Sequence, residues 1–381
     1  MSGSDLITRM RSRRGEWLDA LSALVEQESP SRDKPSLDRM ATLLVARFEA
    51  IGGQVERFSN PLGGDHLLAR FFSAGNEDRK PALVLGHYDT VWPSGTLATM
   101  PFRIDGQKAH GPGLFDMKAS LVEAEFAIDG LIQSGRAVPR PVLVLITSDE
   151  EIGSPTSRHL IEETARGCEY VLVLEPPFSD GSLKTARKGV GHFVVEVQGK
   201  AAHAGVEPGL GSSAILELAL QIQSLHDLND LASGVSVNVG VIEGGTTANV
   251  VAARALARVD VRATTMEQAA RIEETIRNFR TKVPNTRLMI TGGFNRPPME
   301  RTEAVALLFT RAREIGRTIG LELGEGSTGG GSDGNFTAAL GIPTLDGLGI
   351  VGSGAHASHE QIDLDSVPER TALLASLLLH L

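Results

Sequence analysis

The chain has 381 residues, 41% hydrophobic and 22% charged, enough to bury a large core and to divide into two domains or more. No apolar run approaches the roughly 18 residues of a membrane span. The opening MSGSDLITRMRSRRGEWLDA also lacks the apolar core and small-residue cleavage site of a secretory signal, so a cytoplasmic location off the membrane is expected. With 37 basic against 47 acidic residues the net charge is -10, which repels phosphate backbones and anionic lipid and disfavours a nucleic-acid partner. The single cysteine, Cys168, excludes an intrachain disulfide and any thiolate-rich metal site, so a metal has to be held by His and carboxylate.

In chain order, LDALSALVEQ and MATLLVARFEAIGG carry apolar residues at helical spacing around the polar ESPSRDKPS, which predicts helix, loop, helix. Short β-rich runs follow at HLLARFF (66–72), ALVLG (82–86), PVLVLITS (141–148) and YVLVL (170–174). Helical patterns, DMKASLVEAEFAIDGLIQSG and SPTSRHLIEETARG, lie between the later ones. This alternation predicts an α/β fold, a mixed, mostly parallel sheet flanked by helices. After Lys188 the order becomes strand (HFVVEVQG), helix (SSAILELALQIQSLHDL), two strands (VSVNVGVIEGG, ALARVDVRA), helix and strand (RLMI). Thr265 and Gln268 fit a capping box for that second helix, with Ile272, Ile276, Phe279 and Val283 on one stripe. The order βαββαβ is that of an inserted ferredoxin-like α+β unit. We therefore expect a catalytic domain in two parts, 1–187 and 298–381, interrupted by an inserted domain at 188–297. The last part reads as a helix (304–319), a glycine-rich turn (TGGGSDGNF), a strand (PTLDGL) and a closing helix after Ser366 and Pro368.

The chemistry is concentrated at strand ends. His87 and Asp89 follow ALVL, Asp149, Glu150 and Glu151 follow VLVLITS, Glu175 follows YVLVL, and Asp116 opens a helix after HGPGLFD. In an open α/β sheet these carboxyl ends are where ligands bind. Each residue alone has an ordinary explanation. Acidic residues at a helix start are favoured by the helix dipole, a histidine after a strand is most often a hydrogen-bonded loop residue, and Glu175 before two prolines suits a solvated strand end. Their repetition at one sheet edge is what points to a site.

GHYDTVWPSGT, AHGPGLFDMKAS, TSDEEIGSPTSRHL, LEPP, GKAAHAGVEP, GGTTANVVA, TGGGSDGNF and GAHASHE together resemble, in order and over nearly the whole chain, the M20 family of di-zinc metallopeptidases. The nearest branch is that of the glutamate carboxypeptidases (carboxypeptidase G2-like). The resemblance implies that His87, Glu151, Glu175 and His356 are metal ligands and that Asp116 bridges two Zn²⁺ ions, for which Co²⁺ or Mn²⁺ are substitutes. Asp116, Glu151 and Glu175 contribute -3, which one Zn²⁺ leaves at -1 and two bring to +1, the state that accepts a hydroxide. Asp89, two residues from His87, is expected to fix its imidazole tautomer, and Glu150 to act as general base. His356 is preferred to His359 as the last ligand because it stands a few residues before Glu360. The family's cis peptide is expected between Asp116 and Met117.

Away from the metals, the resemblance assigns His203 to oxyanion stabilisation in a partner subunit's site, and Asn249 and Arg296 to the substrate carboxylate. A turn histidine and a solvated loop arginine are the ordinary readings of His203 and Arg296. Gly330, in the run TGGGSD, is expected to let backbone approach substrate, with positive φ at one or more of these glycines. The implied activity is hydrolysis of the amide to a C-terminal amino acid, on a small N-acyl amino acid or short peptide, by a homodimer formed through the inserted domain. The rivals are an N-acyl-amino-acid deacylase (acetylornithine deacetylase- or aminoacylase-like) and a metal-free binding protein of the same fold. A nucleotide-binding reading fails because GPG and GGG lack the strand-turn-helix spacing of a phosphate fingerprint.

Overall fold

The computed structural model describes residues 3–72, 74–76 and 78–381. The chain forms two compact units, one of residues 1–186, 301–327 and 332–381, the other of 187–300 and 328–331.

The first unit is built on a six-stranded sheet in the order Gln54–Phe58, His66–Phe71, Val142–Thr147, Ala82–His87, Tyr170–Val173 and Thr344–Leu345. The first two pairings are antiparallel and the other three parallel, a mixed sheet. Every residue of Ala82–His87 and Val142–Thr147 is buried, which is why these strands read as unbroken apolar runs. Leu83, Leu85, Leu145 and Val171 pack on one face with Ile161 and Phe336. Val84, Val144 and Leu172 pack on the other with Leu121, Ile128 and Leu373. Helix Ala119–Ser134 is buried over most of its length and lies against Val367–His380.

Not foreseen were the helix Gly3–Ser12, whose few apolar residues Leu6, Ile7 and Met10 pack on the core, the edge strand Gln54–Phe58, and the exposed three-residue strand Arg103–Asp105. The last joins a small antiparallel sheet in the order Gly352–Ser353, Gln361–Asp363, Lys108–His110, Arg103–Asp105. That sheet fixes both ends of the 354–360 turn, which carries His356. The stretch TGGGSDGNF is a turn only in part, because Gly334–Ala339 is a short helix.

The second unit is a four-stranded antiparallel sheet in the order Ser236–Gly244, Arg254–Ala263, Gly189–Gln198, Arg287–Arg296. It packs with helices Ala214–His226 and Met266–Arg277 around Phe193, Val195, Leu218, Val259, Val261, Ile272 and Ile276. The Thr265/Gln268 capping box is formed. The helix nevertheless ends at Arg277, so Phe279 and Val283 are not on its stripe. Buried Glu217 accepts the backbone N–H groups of Lys282 and Val283 at 2.8 and 2.6 Å, which draws the chain out of helical geometry. Among the described residues, no helix is long and apolar enough to cross a membrane.

Candidate metal centre

Three neighbouring parallel strands bring their carboxyl ends together. His87 ends Ala82–His87, Glu150 and Glu151 begin the single helical turn Glu150–Ile152 after Val142–Thr147, and Glu175 follows Tyr170–Val173. Asp116 lies in the irregular turn Leu114–Lys118 that leads into Ala119–Ser134, and the Asp116–Met117 peptide is cis, as expected. His356 reaches the same place from the 354–360 turn, with φ at +61°.

Asp116 faces a histidine with each oxygen. Its Oδ1 lies 3.2 Å from His87 Nε2 and its Oδ2 lies 3.3 Å from His356 Nε2. His87 Nε2 is also 3.6 Å from Glu175 Oε1, and His356 Nε2 is 3.2 Å from Glu151 Oε2. Two sets of donors capable of holding a cation result, His87 with Glu150 and Glu175, and Asp116 with Glu151 and His356, each with its donor atoms within 4.8 Å of one another. Imidazole and carboxylate are the ligands that suit zinc and similar divalent ions where no thiolate is present.

The electrostatics match a cation site. Burial opposes a charge on His87, but the Asp116 and Asp89 contacts outweigh it and hold the imidazole protonated well above the ordinary range. Asp116 and Glu151 push His356 up to about 10. Burial would raise Asp116, but its hydrogen bonds to His356 and His87 win and hold it far below the usual carboxylate range. Glu151 is raised by burial, with His356 opposing. A cluster of acids that draws both imidazoles toward their charged form is one that attracts positive charge.

Asp89 contacts the His87 imidazole through both its main chain and its carboxylate. The shorter contact of His87 Nδ1 is with the Asp89 main-chain oxygen, 3.0 Å, against 3.4 Å to its carboxylate. The fully buried carboxylate also accepts the backbone N–H groups of Glu150 at 3.1 Å and Glu151 at 3.2 Å, and the Ser31 hydroxyl at 2.7 Å. Ser31 and this backbone role had no local signal in the sequence, because the partners lie about sixty residues away on either side.

His359 is exposed and belongs to neither donor set. His203, Asn249, Arg296 and Gly330 all lie in the second unit. His203 is exposed and its Nδ1 accepts from Gly205 N at 3.1 Å. Asn249 is exposed and accepts from Thr247. Arg296 is buried, so the solvated-loop reading does not hold. The Gly330 carbonyl accepts from Arg187 at 3.2 Å. Gly329, Gly330 and Gly331 do not adopt positive φ, contrary to expectation. What the run needs is small size: a Cβ on Gly331 would stand 2.9 Å from both Arg296 Cδ and Val190 Cγ2.

Residues 83–380 match Peptidase family M20/M25/M40. The chain belongs to this family. Like its M20 relatives it is a hydrolase of peptide or amide bonds, acting on small peptide or acyl-amino-acid substrates, and the family is metal-dependent. It is 30% identical over 374 residues to carboxypeptidase G2 of Pseudomonas sp. (strain RS-16), covering 96% of this chain and 89% of that one. It is 27% identical to acetylornithine deacetylase of Salmonella arizonae, over 65% of this chain and 67% of that enzyme. Its fold is that of the aminopeptidase PepT of Bacillus cereus, with a TM-score of 0.79 at 22% identity, covering 96% of this chain and 98% of that one.

Proposed function

We propose that this M20 hydrolase is a two-zinc carboxypeptidase that releases a C-terminal amino acid from a short peptide or N-acyl amino acid. The observation that carries this reading is the orientation of Asp116, with one carboxylate oxygen toward His87 and the other toward His356. His87, Asp116 and Glu175 are assigned to one ion, and Asp116, Glu151 and His356 to the other. When bound, the ions polarise the scissile carbonyl and acidify a water, which makes attack feasible at neutral pH.

Glu150 supplies the proton traffic. It belongs to the donor set of His87 and Glu175, close enough to serve as base to a water in the site, and its backbone is held by Asp89. It takes a proton from the water as the oxygen adds to the carbonyl carbon. It returns that proton to the nitrogen as the C–N bond breaks, so the amine leaves neutral. Arg296 and Asn249 are assigned to the free carboxylate, Gly330 to backbone contact with substrate, and His203 to the oxyanion from a second copy of the chain in a homodimer.

Carboxypeptidase G2 supports the choice of a C-terminal amino acid through its near-full-length match. The acetylornithine deacetylase match favours the second reading, a deacylase of small N-acyl amino acids. A panel of acyl-glutamate, acyl-aspartate, acetylornithine and dipeptides separates them. Turnover of acyl-glutamate or acyl-aspartate above the others is expected, and activity confined to dipeptides with a free amino terminus rejects the proposal.

A further inference from the structure

Glu360 has no part in the metal set, yet its side chain is completely buried beside it. Its Oε1 accepts the backbone N–H groups of Phe115 at 2.9 Å and Asp116 at 3.1 Å. Its Oε2 accepts the backbone N–H of Gly113 at 2.8 Å and the indole N–H of Trp92 at 2.8 Å. An ionised carboxylate has about four lone-pair sites and no donor, so these four N–H groups fill it. Three of them come from the turn that presents Asp116. The fourth comes from a residue five positions after His87. Glu360 itself ends the turn that carries His356, through a backbone bond from its own N–H to Ala357 O at 2.9 Å.

We infer that Glu360 is the positioning residue of the metal centre, one buried carboxylate that ties the turn bearing Asp116 to the turn bearing His356, with the Trp92 indole as a secondary contact. No other side chain among the described residues is shown bonded to the N–H groups of Gly113, Phe115 and Asp116. The turn they form has to show both faces of one carboxylate to two ions, and a rotation of it would spoil both positions at once. Loss of a single ligand such as Glu175 affects one ion first, whereas loss of the Glu360 clamp affects both.

The inference rests on the two-ion reading, and zinc titration of the chelator-stripped full chain tests the two separately. Calorimetry on the native chain, Glu360→Gln and Trp92→Phe gives ion number and affinity, and thermal unfolding of the metal-free proteins reports the fold. The glutamine keeps the shape but turns an NH₂ toward N–H donors. Glu360→Gln is expected to weaken both ions tenfold or more. Trp92→Phe, which leaves the three backbone donors in place, is expected to stay within threefold of native. If Glu360→Gln does not fold, Glu360→Asp, which keeps the charge and shortens the reach, is judged by the same criterion.

Folded Glu360 variants that bind both ions within twofold of native overturn the inference while leaving the two-ion reading intact. Equal losses in Glu360→Gln and Trp92→Phe overturn it as well, because the effect would then belong to packing of the indole. A native chain that binds no pair of ions overturns both readings. A carboxylate with only a general structural role would lower the metal-free melting temperature without changing zinc affinity in the folded chain.

Discussion

The Asp89 carboxylate accepts the backbone N–H of Glu150 at 3.1 Å, so the residue assigned as base is held in place through its main chain. Asp89→Asn presents an NH₂ to one of the two N–H groups that the carboxylate now receives. Because His87 keeps its bond to the main-chain oxygen, kcat is expected to fall more than KM rises, by roughly 10- to 100-fold, the cost of about 1–3 kcal/mol for a buried unsatisfied donor. Steady-state kinetics with zinc content measured in parallel checks this. A rise in KM alone would contradict it.

Glu150→Gln removes the base and preserves size. Turnover is expected to drop by about 10²–10⁴-fold with zinc content unchanged. If the variant instead loses an ion, Glu150 is a ligand of the His87 and Glu175 set rather than a base, an arrangement its proximity to both also allows.

Glu123 offers a pH test away from the metals. It is fully buried in Ala119–Ser134, both carboxylate oxygens lack a hydrogen-bond partner among the described residues, and burial, opposed by Arg370, pushes it up to about 8. The folded state therefore binds this proton more tightly than the unfolded chain. Its contribution to stability is fully present below the ordinary glutamate range near 4.5 and is lost as pH rises through about 8. Glu123→Gln is expected to be more stable than native by about 2 kcal/mol at pH 9 and to have a flatter denaturant-midpoint profile between pH 5 and 9. Identical profiles would show that Glu123 finds a partner in solution.

Gly349 backs onto the Glu175 segment. Its N–H donates to Glu175 O at 3.0 Å, and a Cβ would overlap Ser120 Oγ and the Leu174 carbonyl oxygen. Since backbone cannot yield as a flexible side chain does, Gly349→Ala is expected to cost about 3 kcal/mol or more in urea unfolding. A cost below about 1 kcal/mol would mean that the segment moves freely.

The central sheet was legible because both faces are covered, so Ala82–His87 and Val142–Thr147 appear as apolar runs ending in polar residues. The acids and histidines were legible as a recurrence at strand ends, and the family motifs supplied their roles. Three features were hidden. Arg103–Asp105 is short and exposed, so no periodicity marks it. The end of Met266–Arg277 depends on Glu217, some sixty residues earlier. The Asp89 and Glu360 carboxylates act on backbone N–H groups, which every sequence contains and none advertises.

The most direct measurement is diffraction at the zinc absorption edge from crystals of the zinc-loaded native chain and of Asp116→Asn. The native chain should give two anomalous peaks about 3.5 Å apart, one on either side of Asp116, and the variant should lose at least one of them. A single peak, or two peaks that persist unchanged without the Asp116 carboxylate, would contradict the account.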